Sequence, residues 1–323
     1  MKWNLGLNFY SSEVVLFNPK DLALVETNEF IKTNKYHIYI ICKRKKVFFE
    51  SSEIEDEFCK TTLYYLDEKH EKKYLRYKHP SNLIINDFKD GFYDVDLNGQ
   101  KNLKIRDFLM ISNFCYLEND IIGNSVEGPF PSDLEVLYIG QAFGRTARKT
   151  IDYRVSNHDK IQKIALEILD KGSNEEVLII GLKINNNDIG TSIVTIDSNT
   201  NASTTKDLQD LVTKASKRIT EGQEITVFEA SLIKYFQPTL NTEYKESFPS
   251  PDFTSYDEIF KTDFNYSAMT IDTKPIFTRI YSKYIPERKY LHSQHFPLKT
   301  KSDKEILFDY LYELNESSKR VRS

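Results

Sequence analysis

Residues 134–140 read Leu-Glu-Val-Leu-Tyr-Ile-Gly, an apolar run that stops at a glycine. It is too short for a typical helix and reads as a strand, introduced by the punctuation Gly128-Pro129-Phe130-Pro131-Ser132. Further on, residues 177–184 (VLIIGLKI) are almost wholly apolar, as a central strand buried on both faces would be. Between the two, Ile151, Val155, Ile161, Ile164, Ala165 and Ile168 recur at near-helical spacing, which predicts an amphipathic helix over 151–170. A strand near 193–196, a polar loop (SNTNASTTKD) and helices over 208–219 and 226–236 follow, the last closed by Pro238. Residues 126–250 are thus expected to form an α+β domain with a small central mixed β-sheet flanked by helices.

Outward from that domain the patterns change. Toward the N-terminus, residues 14–17, 22–25 and 36–41 read as short strands, 54–77 as a charged surface helix, and Asp90-Gly91 and Asn98-Gly99 as tight hairpin turns. Residues 1–125 are therefore expected to be a β-rich α+β domain that selects substrate or partner. Residues 251–323 form a basic, aromatic C-terminal extension. From Lys274 onward eleven basic residues face six acidic ones, interleaved with Phe277, Tyr281, Tyr284, Tyr290 and Phe296. Such a stretch could grip DNA or stack on bases, and a lysine-rich surface with packed aromatics is the competing reading.

Composition removes several classes. In 323 residues, 40% hydrophobic and 28% charged side chains exclude global disorder. No run approaches the roughly 18 to 20 apolar residues of a membrane helix, and Asn4, Asn8 and Ser11 interrupt what would be a signal peptide, so a cytoplasmic location without membrane contact is expected. Cys42, Cys59 and Cys115 are too widely spaced for a structural zinc site and read as reduced core thiols. A net charge of -4 argues against a uniformly basic coat. Walker, GxSxG and GxGxxG fingerprints are missing.

Five polar side chains of the middle domain are candidates for one site: Tyr138, Arg154, His158, Glu229 and Asn241. Arg154 and His158 stand four apart on the expected helix and project from one face, where they could grip an anion. Glu229, in the apolar helix EASLIKYF, is a plausible ligand for a hard divalent cation. Each has a plainer reading: a packed strand-end tyrosine, a solvated helix face, an acid favoured by the helix dipole, and a turn asparagine. Around them, Arg145, Arg148, Lys149, Arg154, Lys160 and Lys163 outnumber Asp152 and Asp159, a surplus that would attract a phosphate backbone.

In their order and placement these elements resemble the GIY-YIG nuclease superfamily over roughly residues 110–250. The matching text is Tyr138-Ile139-Gly140, RVSNH with Arg154 and His158, Glu229 in its helix, and QPTLN ending in Asn241. No literal Gly-Ile-Tyr precedes the second motif, and Phe114-Cys115-Tyr116 is the nearest substitute. The resemblance implies a divalent-metal-dependent endonuclease acting on DNA, with a double-stranded target, and an unfamiliar N-terminal domain joined to such a nuclease would suit restriction or antiphage defence. Glu229 would hold one Mg²⁺ or Mn²⁺, Arg154 would clamp phosphoryl oxygens, and Tyr138 or Tyr116 would accept the water proton. His158 would help lower that phenol's pKa or relay the proton, and Asn241 would orient Glu229 or a metal-bound water. The rival is a catalytically inactive nucleic-acid-binding or protein-interaction module on the same scaffold. The sequence leaves a homo-oligomer open.

Overall fold

A computed structural model describes residues 3–19, 36–80, 83–89, 92–97, 99–105, 132–141, 174–184, 190–195, 221–242 and 264–297. Strand dominates the described residues. The central sheet is built on β1 (Trp3–Phe17), β2 (Ile38–Lys45), β9 (Leu134–Gln141), β10 (Glu175–Ile184), β12 (Phe264–Asp272), β13 (Ile280–Tyr281) and β14 (Leu291–Pro297), in the order β13-β9-β2-β10-β1-β12-β14. An eighth strand, β11 (Gly190–Thr195), pairs with the N-terminal half of β1, whose C-terminal half pairs with β10. The sheet is mixed, because β1 and β12 run parallel, as do β9 and β13. It curls as a half-barrel.

Two three-stranded antiparallel sheets intervene in the chain between β2 and β9. One holds β3 (Val47–Glu55), β4 (Phe58–Leu66) and β5 (Lys72–Pro80), and the other β6 (Leu83–Lys89), β7 (Phe92–Leu97) and β8 (Gln100–Ile105). Both expected hairpins are present: Lys89 pairs with Phe92 across 90–91, and Gly99 takes φ 82° between Leu97 and Gln100.

The expected α+β class is overturned. A single α-helix, α1 (Glu221–Phe236), lies among the described residues, and the sheet draws strands from all three segments, 1–125, 126–250 and 251–323. The helix expected within 54–77 is instead strands β3 to β5. Cys59, Thr61, Leu63 and Leu75 are fully buried while Lys60, Tyr74 and Arg76 face solvent, a period of two rather than 3.6. Threonine and tyrosine, which fit a pleated surface, outweigh the helix-tolerant Glu and Lys there. The helices expected over 151–170 and 208–219 and the strand over 22–25 lie outside the described residues.

The strands 134–140 and 177–184 are where the sequence puts them, as is the helix over 226–236, which begins a turn earlier. Its apolar face, with Ile225, Phe228, Leu232 and Phe236, packs on Ile38, Ile40, Leu134, Val136, Ile139, Ile180 and Leu182 of one sheet face. The opposite face carries its own cluster, with Phe17, Tyr39, Ile41, Leu137 and Ile179. Burial on both sides accounts for the apolar runs 38–42 in β2 and 177–182 in β10. α1 stops where Gln237, at φ 47°, leaves the right-handed helical region ahead of Pro238.

In α1's first turn, burial and the neighbouring Glu221 push the Glu224 carboxyl up to about 7. The unfolded chain ionises this group at ordinary carboxylate pH, near 4.3, so its contribution favours folding below that pH and is lost as pH rises to about 7. Glu224→Gln should therefore raise the thermal midpoint at pH 8 and leave it unchanged at pH 4; an equal shift at both would exclude the titration.

Candidate functional site

β9 ends at Tyr138-Ile139-Gly140-Gln141, and alternation sends these side chains to different faces. Ile139 belongs to the cluster under α1. Leu137 and Tyr138 both lie with the opposite cluster, because the register slips between the pairs Ile41↔Tyr138 and Cys42↔Val136. This bulge gives β9 one extra residue and re-aims Tyr138. Its ring packs on that of Tyr39, with centroids 6.0 Å apart.

Gly140 makes that arrangement feasible. A Cβ there would stand 2.6 Å from the Tyr39 hydroxyl oxygen, 2.7 Å from the ring carbon bearing it and 2.9 Å from the Tyr138 ring. Tyr39 is 1% exposed and cannot swing aside. Gly140→Ala should therefore cost about 1 to 3 kcal/mol by overpacking. Chemical denaturation should show this loss largely relieved in a Tyr39→Leu background, and an undiminished cost would mean the contact with Tyr39 is not its origin.

On the helix side of the strand end, Gln141 Nε2 donates to Glu229 Oε2 at 2.7 Å and to Thr226 Oγ1 at 3.1 Å. Thr226 in turn donates to the carbonyl of Gly222 at 2.8 Å. Glu229 is thus a half-buried carboxylate held by a neutral amide. Tyr138 and Glu229 meet the end of β9 from opposite faces, Glu229 through Gln141, three residues along the strand from Tyr138.

Asn241 has a different role from the one expected. It is 7% exposed. Its Oδ1 accepts from the Ile139 amide at 2.9 Å and its Nδ2 donates to the Ile139 carbonyl at 2.9 Å. Beside it, the Leu240 amide donates to the Leu137 carbonyl at 3.0 Å. The asparagine amide acts as a peptide surrogate pairing with the outer edge of β9, so it holds the strand and is not aimed at Glu229.

At Leu137 and Ile139 one edge of β9 is bonded by Leu240 and Asn241, and β2 pairs with the other. Among the described residues, the tyrosine adjoining Tyr138 and Gly140 is Tyr39. Sequence reasoning passed over Tyr39 and Gln141. The apolar run 36–41 was visible as a strand, but six strands separate β2 from β9 in the chain.

Tyr116, Arg154 and His158 lie outside the described residues, as do the expected nucleic-acid contacts Arg145, Arg148, Lys149, Lys160 and Lys163. Among the described residues there is no group of three His, Cys, Asp or Glu able to hold a metal ion. Glu229 alone of the expected set offers a carboxylate, which suits Mg²⁺, an ion that commonly takes one or two carboxylates and completes its shell with water and phosphate oxygens. Cys42 and Cys59 are free and buried, as expected of core thiols, and burial pushes the Cys42 thiol far up, keeping it protonated.

Comparison of the chain with protein families, with characterised proteins and with solved structures finds no match. Among the described residues no helix is long and apolar enough to cross a membrane.

Proposed function

We propose that the chain is a divalent-metal-dependent endonuclease that hydrolyses DNA phosphodiester bonds at the end of β9. The observation that supports this most is the pairing of β2 with β9. It sets Tyr39-Ile40-Ile41 antiparallel to Tyr138-Ile139-Gly140, with Tyr39 opposite Gly140 and the carboxylate of Glu229 held by the next residue, Gln141. In this reading His37-Ile38-Tyr39 would stand in for Gly-Ile-Tyr, its tyrosine opposite Gly140 on the strand that pairs with the second motif.

Glu229 would hold one Mg²⁺ or Mn²⁺, which supplies charge against the developing negative charge on phosphate. Gln141 fixes the carboxylate through one oxygen. A phenol from Tyr138 or Tyr116 would take the water proton, and since an ordinary phenol titrates near pH 10 it needs cationic charge nearby. Arg154 is the side chain proposed for that charge and for clamping the phosphate, with His158 beside it. Double-stranded DNA in an antiphage or restriction setting, and a cytoplasmic location, go with this reading.

The test is conversion of supercoiled plasmid to nicked and linear forms by the full chain with Mg²⁺ or Mn²⁺, and its suppression by a chelator. Tight duplex binding without conversion in either metal would sink the enzyme and leave the inactive binding module.

A further inference from the structure

At the other end of the strands, where β9 begins and β2 ends, a cleft of about 610 Å³ opens. Its charges are arranged unequally. Asp133 is gripped by Arg279 through two bonds of 2.7 Å and is also met by Arg288 at 3.3 Å. Glu175 is shared by Lys43 at 3.0 Å and Lys45 at 3.8 Å. Lys43 also meets Glu135 at 3.6 Å. Five cations line the cleft (Lys43, Arg44, Lys45, Arg279, Arg288) against three carboxylates (Asp133, Glu135, Glu175), and with Glu176, which holds Arg44 at 2.7 Å, the surplus is 5 - 4 = +1. Arg288 and Lys45 have side chains 49% and 34% exposed, so they stand at the solvent side with their pairing shared.

Deeper in the cleft charges of both signs are buried, with Arg44, 7% exposed, paired to Glu176 at 2.7 Å. Glu135 is 8% exposed, and its Oε1 is buried with no hydrogen-bond partner among the described residues. A buried acceptor of this kind is costly unless something donates to it. Tyr65 and Tyr281 add two aromatic rings to the wall, the second carrying the Arg288 guanidinium 4.3 Å above its centroid. The cleft therefore presents donors for an anion outside, flat apolar surface along it, and an acceptor for an N–H within. Its volume lies in the range of small-ligand sites.

We propose that this cleft binds a nucleoside monophosphate. The phosphate sits at Arg288 and Lys45, the base lies along the tyrosines, and an exocyclic amine donates to Glu135 Oε1. This site is independent of Glu229 and of any DNA cleavage, since it lies at the opposite end of β9.

Calorimetric titration of the full chain tests it with adenosine 5′-monophosphate, purine riboside 5′-monophosphate (which lacks the amine), adenosine, inorganic phosphate, and a short duplex with and without a 5′-phosphate. Adenosine 5′-monophosphate should bind saturably, and loss of the phosphate or of the amine should each weaken binding about tenfold, the scale of one charge-assisted hydrogen bond. Arg288→Ala and Lys45→Ala, both at exposed positions, should each weaken the nucleotide by about as much and leave adenosine unchanged. No saturable nucleotide binding, inorganic phosphate binding as tightly as the nucleotide, binding of the 5′-phosphorylated duplex alone, or undiminished affinity in both variants would each overturn the proposal.

Discussion

Glu229→Gln is expected to lower the plasmid-nicking rate by about three orders of magnitude, the scale on which removing one group aimed at developing charge acts, while leaving the melting curve unchanged. The substitution conserves volume, and the amide oxygen can still accept from Gln141 Nε2, which meets Glu229 Oε2 at 2.7 Å in the native chain. What is lost is the negative charge, and with it the affinity for a hard cation. Glu229→Ala would remove the hydrogen bond as well, so the glutamine variant separates chemistry from packing. Retention of the wild-type rate by Glu229→Gln would show that the carboxylate only anchors Gln141. Gln141→Ala, which removes this hydrogen bond but leaves the charge of Glu229, should lose less and be rescued in part by higher Mg²⁺.

Where the sequence could be read, the period of its apolar residues was decisive. Val177 to Ile184 and Leu134 to Gly140 lie in strands that the sheet buries on both faces or nearly so, and a strand covered on both sides is what selects continuous apolar text over so short a span. Residues 54–77 failed because Lys, Glu and Tyr suit either a helix surface or a solvated sheet face. The alternation Cys59, Thr61, Leu63 was the discriminating signal. The adjacency of Tyr39 to Tyr138 is a different matter, since it depends on which strands pair after β3 to β8 have intervened, and pairing across such a separation leaves no local mark. The hydrogen bond from Gln141 to Glu229 is equally silent in one sequence, where a glutamine after a strand is ordinary.

Asn241→Ala should destabilise the fold by about 2 to 5 kcal/mol, as two hydrogen bonds disappear and a buried amide and a buried carbonyl of Ile139 lose their partners at roughly 1 to 3 kcal/mol each. Both groups lie on the edge of β9 next to Tyr138, so the damage falls on the strand that carries the proposed site. A residue that merely oriented a metal-bound water would lower activity and spare stability, and chemical denaturation distinguishes the two. Asn241→Asp sharpens the distinction. Its carboxylate can still accept from the Ile139 amide but at neutral pH sets a negative oxygen against the Ile139 carbonyl, whereas the protonated acid can donate to it. Burial and the opposing carbonyl raise the folded-state pKa of this carboxyl above its unfolded value. The variant should therefore recover stability relative to wild type as pH falls and lose it as pH rises through that folded pKa. A pH-independent difference between Asn241→Asp and wild type would mean that the donor half of the amide contributes nothing to holding β9 in place.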